Sequence, residues 1–232
     1  MPCFTVTGEV DPFLHVTLEA GEKIFCETNA MVMMEDTLRI KGQMKGGLGQ
    51  ALMRSFTGDE GLFQQQIEAV TGRGDCLLSP RLPGGIALLN VAPQAAYTLS
   101  DGSFVAADAG VELRSRMNSV GGGLFGGTGG FIVMEAHGQG QLAVSGFGSL
   151  FTLAVQPGRE VVIDNNHAVA WSSSLEYEAG LPPHASGGFF GSLVGSATTG
   201  EGLVLKFRGS GNVVVCSRNR TLSTTLLQGQ AG

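Results

Sequence analysis

Gly72-Arg73-Gly74-Asp75-Cys76-Leu77-Leu78-Ser79, Gly138-Gln139-Gly140-Gln141-Leu142-Ala143-Val144-Ser145 and Gly209-Ser210-Gly211-Asn212-Val213-Val214-Val215-Cys216-Ser217 share one pattern: a Gly-x-Gly turn, an apolar run and a serine. Ahead of each block lies a glycine-led alternating segment: Gly21-Glu22-Lys23-Ile24-Phe25-Cys26-Glu27, Gly102-Ser103-Phe104-Val105-Ala106-Ala107-Asp108 and Gly158-Arg159-Glu160-Val161-Val162-Ile163-Asp164. A repeat unit seldom buries its apolar face alone, so three copies predict one compact body assembled from three β units. The first glycine of each block is expected to turn the chain with φ > 0.

Outward from these blocks, alternation dominates over helical periodicity. Phe13-Leu14-His15-Val16-Thr17-Leu18, Leu38-Arg39-Ile40-Lys41, Val111-Glu112-Leu113-Arg114 and Leu175-Glu176-Tyr177-Glu178 place apolar residues at i and i+2, which reads as strands with one wet face. Turn signals recur at short intervals in Thr57-Gly58-Asp59-Glu60-Gly61, Ser100-Asp101-Gly102, Gln156-Pro157-Gly158 and Asp164-Asn165-Asn166. That spacing suits a sandwich or barrel. The best helix candidate is the short segment 47–56. The expected fold is therefore all-β: three repeated units over 1–92, 93–156 and 157–221 form a single sandwich- or barrel-like domain over 1–221. A loose tail over 222–232 follows.

Composition narrows the function classes. Glycine supplies 37 of 232 residues and proline only 8, so the excess is neither collagenous nor linker-like. Apolar residues make up 43% and charged residues only 15%, an unusually neutral surface that oligomerisation would cover. A net charge of −6 with 14 Lys and Arg works against nucleic-acid partners, whose phosphates need neutralising. A basic stripe would have to be built from Arg39, Lys41, Lys45 and Arg54. Cys3, Cys26, Cys76 and Cys216 form no C-x-x-C pair and no secretion signal precedes Met1-Pro2-Cys3-Phe4-Thr5, so the expectation is a reducing, cytoplasmic setting with cysteines as small core residues.

Two stretches carry no formal charge: 18 residues between Arg116 and Glu135, and 22 between Glu178 and Glu201. They hold seven and six glycines, the second also Pro182-Pro183, and neither supplies the roughly 20 mostly apolar residues of a crossing helix. They fall in matching places of the second and third units, where the first unit has Lys45-Gly46-Gly47-Leu48-Gly49-Gln50-Ala51-Leu52-Met53-Arg54. The candidate interaction residues are Leu124, Phe125, Phe189, Phe190 and Leu193, large apolar side chains set between glycines. Three readings are open for them: loops folded onto the body, a subunit or protein-partner contact, or shallow membrane contact.

No motif reaches a reaction. Gly121-Gly122-Gly123-Leu124-Phe125-Gly126 fits G-x-G-x-x-G, but a strand reading over Thr128-Gly129-Gly130-Phe131-Ile132-Val133-Met134 follows it where a dinucleotide site needs a helix. Arg73-Gly74-Asp75 is a repeat turn. His15, His137, His167 and His184 lack metal-ligand spacing, and no G-x-S-x-G elbow is present, so no cofactor, metal or catalytic residue is assigned.

The ordered series Gly21 to Glu35, Gly61-Leu62-Phe63 through Gly72-Arg73-Gly74, Leu82-Pro83-Gly84-Gly85-Ile86, Gly102-Ser103-Phe104-Val105-Ala106, Val169-Ala170-Trp171, Gly200-Glu201-Gly202-Leu203 and Ser217-Arg218-Asn219 resembles the AIM24-type family of uncharacterised conserved proteins, named for altered inheritance of mitochondria. The resemblance covers nearly the whole chain. It implies a fold like that of the tryptophan RNA-binding attenuation protein, assembled as a homotrimer, with no known catalysis. Mitochondrial members are linked to inner-membrane organisation; this chain lacks a transit peptide, which points to a cytoplasmic member. The acidic balance does not carry RNA binding across. The leading expectation is thus a non-enzymatic, oligomeric β scaffold or binding protein acting through an apolar, glycine-rich face. The alternative is a small-ligand binder or enzyme with a site between repeats or subunits, where Arg114, Arg116, His137 and His167 would converge.

Overall fold

The structure, a computed structural model, describes residues 1–44, 63–118, 131–180 and 203–219. Among them the chain is all-β, without a helix, in four antiparallel sheets. Sheet 1 runs in the order β1 (Cys3–Thr7), β2 (Phe13–Leu18), β7 (Gly74–Leu78), β4 (Met31–Met34). Sheet 2 runs β5 (Leu38–Met44), β6 (Phe63–Ala69), β3 (Lys23–Glu27), β10 (Phe104–Asp108), β13 (Gly140–Ser145), β8 (Ile86–Val91). Sheet 3 runs β11 (Val111–Asn118), β12 (Phe131–Gly138), β9 (Tyr97–Ser100), β16 (Ala168–Ser172), β19 (Gly211–Cys216), β14 (Leu150–Val155). Sheet 4 runs β15 (Val161–Asp164), β18 (Val204–Arg208), β17 (Glu176–Gly180). The expectation of a barrel is corrected here: none of these sheets closes on itself. The helix candidate over 47–56 and the tail over 222–232 lie outside the described residues.

Strand alternation explains the layering. Leu14, Val16, Cys76 and Leu78 of sheet 1 pack against Ile24, Cys26, Ile67 and Ala143 of sheet 2 in one apolar cluster. Phe104, Leu142 and Val144 on the other face of sheet 2 meet Leu99, Met134, Ala170 and Val214 of sheet 3. Trp171, Val133 and Val213 then meet Ile163, Leu205 and Phe207 of sheet 4. The central strands of the two middle sheets are therefore covered on both faces and read as runs rather than alternations: Phe104–Asp108 is buried at all five positions. Trp171 anchors the third cluster, edge-on to Tyr177 at 5.1 Å and to Phe207 at 5.5 Å between ring centroids.

The Gly-x-Gly blocks link the second strand of each long hairpin (β6, β12, β18) to the next strand (β7, β13, β19). Gly138 and Gly209 take φ of 98° and 108°, as expected of a turning glycine, but Gly72 does not, which corrects the expectation for the first block. The shared constraint is at the second glycine instead. A Cβ would lie 2.8 Å from Leu38 Cδ2 at Gly74, 2.5 Å from Asp108 Cβ at Gly140 and 2.9 Å from Leu175 Cγ at Gly211. These turns press against a neighbouring strand or turn too closely for any side chain.

The amide that follows each second glycine is bonded by a side chain. Asp75 N–H donates to Glu35 Oε2 at 3.0 Å, Gln141 N–H to Asp108 Oδ2 at 2.7 Å, and Asn212 N–H to Ser172 Oγ at 3.0 Å. Each acceptor residue stands three positions after a valine at which strand register shifts: Val32 in β4, Val105 in β10 and Val169 in β16. The glycine-led segments match less well. Gly21 and Gly158 precede β3 and β15, which pair with β6 and β18, whereas Gly102 precedes β10, which pairs with β13.

Replacing a second glycine should cost far more than replacing Gly72, whose Cβ would meet only Thr37 Cγ2 at 3.9 Å. Gly140→Val and Gly211→Val are expected to lose more than about 2 kcal/mol, and Gly72→Val less than about 0.5 kcal/mol, in urea denaturation.

Candidate interaction site at the hairpin ends

The glycine-rich stretches sit at equivalent places in the topology. Segments 45–62, 119–130 and 181–202 each join two strands paired directly with one another: β5 with β6, β11 with β12, β17 with β18. Antiparallel register continues to the last described pair of each stem, Met44 with Phe63, Asn118 with Phe131 and Gly180 with Val204. The three segments are therefore hairpin connections, each far longer than the two to five residues that such a turn requires. Leu124, Phe125, Phe189, Phe190 and Leu193 belong to two of these connections and lie outside the described residues, as do Lys45 and Arg54.

The polar residues proposed to converge do so only in part. Arg114 and Arg116 alternate along β11, and His137 lies on its partner β12. Arg114 Nη2 is 3.0 Å from Glu112 Oε2, Arg116 Nη1 is 2.8 Å from Glu135 Oε1, and His137 Nε2 is 3.5 Å from Glu135 Oε2. This is an exposed face on which each basic side chain meets a carboxylate. His167 stands elsewhere, on the turn between β15 and β16, where Nδ1 is hydrogen-bonded to the Cys216 carbonyl at 2.8 Å. Of the basic stripe, Arg39 faces Glu68 across the β5–β6 ladder and Lys41 Nζ is 3.5 Å from Glu68 Oε2, so an acid interrupts the positive charge. Among the described residues no group of His, Cys, Asp and Glu is arranged to hold a metal ion, and no helix is long and apolar enough to cross a membrane.

The family model for mitochondrial biogenesis AIM24 matches residues 4–218. The chain belongs to the AIM24 family. An uncharacterised protein of Streptococcus pyogenes serotype M6 is 33% identical over 223 residues, covering 93% of this chain and 86% of its own length. A crystal structure of a Streptococcus pyogenes protein superposes with a TM-score of 0.78 at 29% identity, covering 99% of this chain and 100% of that one. The all-β reading and the family resemblance thus hold together over the same residues.

Two features of this AIM24-family chain were not visible in its sequence pattern. An open depression of about 200 Å³ is lined by Asp11, Ser79, Pro80, Arg81, Leu82, Pro83 and Gly84, smaller than the pockets that enclose most small ligands. Arg81 also acts on Glu27, at the end of β3. Burial pushes the Glu27 carboxyl up to about 7; Arg81 opposes that shift and Asp101 adds to it. Strand alternation does not report that neighbouring segments cover this acid at the strand end. Cys26, Cys76 and Cys216 are buried as expected of core cysteines, whereas Cys3 is exposed, which corrects the expectation for it; burial pushes the Cys26 and Cys76 thiols up to about 12 and makes them poor nucleophiles.

The raised Glu27 value fixes a pH dependence. The protonated carboxyl is the form the fold favours, so its contribution is complete below the ordinary value of 4.5 and is lost as pH rises through about 7. Wild type should lose about 1 kcal/mol over that window after allowance for solvent screening. Glu27→Gln should flatten this slope in urea denaturation measured at several pH values.

Proposed function

We propose that this protein is a non-enzymatic, oligomeric β scaffold whose body holds glycine-rich hairpin ends for contact with a protein partner. The observation that carries the reading is the placement of segments 45–62, 119–130 and 181–202 between directly paired strands. A connection of that length is not needed to close a hairpin, and the nearly uncharged glycine-rich sequence of 119–130 and 181–202, with its paired large apolar residues, lowers solubility unless something packs on it. Glycine permits close approach and phenylalanine supplies buried area.

The body is read as three tandem β units. Three local features support this: the strand pairing β5-β6-β3, β11-β12-β9 and β17-β18-β15, the register shift at Val32, Val105 and Val169, and the bonded amides of Asp75, Gln141 and Asn212. A scaffold of repeated units offers several contact elements at fixed spacing, which suits assembly better than chemistry at one point. The distribution of His137 and His167 over separate elements supports the same choice.

Phe125→Ser with Phe189→Ser should leave the circular dichroism spectrum and urea midpoint within about 0.5 kcal/mol of wild type while reducing capture of a partner from native lysate at least severalfold. A collapsed fold would make these rings ordinary core. Unchanged capture would reject the hairpin ends as the working surface.

A further inference from the structure

We infer that the two ends of the sheet stack are the halves of one interface, completed when a second copy of this chain docks head to tail. The inference rests on the three-unit reading above and names the partner and the strands of its oligomeric part. Inside the chain the same joint occurs twice. β3 pairs antiparallel with β10, and β9 pairs antiparallel with β16; each pairing fuses three strands of one unit with three of the next into a six-stranded sheet. The series has one unused member at each end. β15 stands where β3 and β9 stand, paired with β18 on one side, and β4 stands where β10 and β16 stand, paired with β7 on one side. Among the described residues no strand pairs with the second edge of either.

Side-chain exposure at the two ends follows the same logic. Val105 and Ala106 in β10, and Val169 and Ala170 in β16, are fully buried, whereas Val32 and Met33, at the same two places in β4, are 53% and 41% exposed. Phe25 and Thr98, which turn away from the inward-facing residues of β3 and β9, are buried; Val162 in β15 is 43% exposed. Phe151 in β14 faces the same side as Val215 and is 67% exposed, where Ala87, opposite Val144 in β8, is packed against the second cluster. One end therefore offers Val162 and Phe151, and the other offers Val32, Met33 and Leu77. These apolar side chains lack the cover that their internal counterparts have, and polar groups share both faces, Lys206 opposite Val162 and Asp75, His15 and Thr17 on sheet 1. The register shift in β4 does not block pairing, because β10 and β16 carry the same shift and still accept a strand. Polar groups on the outer face of sheet 1 are already partnered: Asp75 Oδ1 bonds His15 Nε2 at 3.0 Å and Thr17 Oγ1 at 2.5 Å. A second copy would make one continuous sheet, β17-β18-β15 followed by β4-β7-β2-β1, with the composition of sheet 2 plus one strand. Such a contact is heterologous, so it closes into a ring or continues as a filament.

Met33→Lys disables the β4 end and Val162→Lys disables the β15 end, both at exposed positions that tolerate charge in the isolated chain. Light scattering coupled to size exclusion, at micromolar and near-millimolar concentration, should give an assembled wild type and each variant at 24.0 kDa. An equimolar mixture of the two variants retains one intact joint and should run at twice 24.0 kDa. Val32→Lys replaces Met33→Lys if circular dichroism shows that the latter is misfolded. A wild type that stays at 24.0 kDa at every concentration overturns the inference. So does dissociation by only one of the two variants, which marks a symmetric contact, or a mixture without dimer. The Phe125→Ser, Phe189→Ser variant leaves both sheet ends intact, so loss of partner capture without loss of mass separates the two proposals.

Discussion

The pairing of β3 with β10 and of β9 with β16 is the constraint on which the remaining structure depends. Each pairing turns a local three-stranded piece into half of a six-stranded sheet, and so lets the strand on the far side of the joint, β10 or β16, be covered on both faces. Without these ladders, Phe104, Val105, Ala106, Ala107, Val169 and Ala170 would lie on half-covered strands; with them, they are core residues of two clusters at once. Backbone hydrogen bonding thus decides the burial that provides most of the stability. The close-packed second glycines and the side-chain bonds from Glu35, Asp108 and Ser172 hold the turns that bring each returning strand, β7, β13 or β19, into line.

Much of this architecture is legible in the sequence because period-2 patterning and Gly-x-Gly turns act locally. Phe13–Leu18 is the strand β2, and the alternation at Leu38, Val111 and Glu176 begins β5, β11 and β17. Layering is less legible, because a strand buried on both faces has no alternation to read. Val213-Val214-Val215 divides its side chains between the second and third clusters, and nothing in the run of valines says so. Parity arguments for Cys76 and Cys216 lead to opposite faces of their strands, yet both are buried, since β7 has one core beside it and β19 has two. Gly102 misleads for another reason: it precedes a strand with the same local pattern as β3 and β15 but a different ladder partner, and partner choice is a long-range property.

The candidate site is legible as a location and not as a chemistry. Length and glycine content mark the hairpin connections because no turn requires them. Arg114, Arg116 and His137 attract notice as titratable residues, yet carboxylates engage each of them: Glu112 beside Arg114 on β11, Glu135 beside His137 on β12, and the same Glu135 across the ladder from Arg116. Glu27 illustrates the reverse case, an ordinary strand-end acid whose behaviour is set by what folds over it.

Long hairpin connections on closed stems have a consequence for how such a body diversifies. The entropy of closing a loop grows only with the logarithm of its length, so doubling a connection at 119–130 or 181–202 costs about 0.6 kcal/mol. One added methyl at Gly140 meets Asp108 at 2.5 Å and has nowhere to go. Sequence change is therefore cheap at the hairpin ends and prohibitive at the turns at the opposite ends of the same strands, so length and composition can drift in the connections while the body is inherited unaltered.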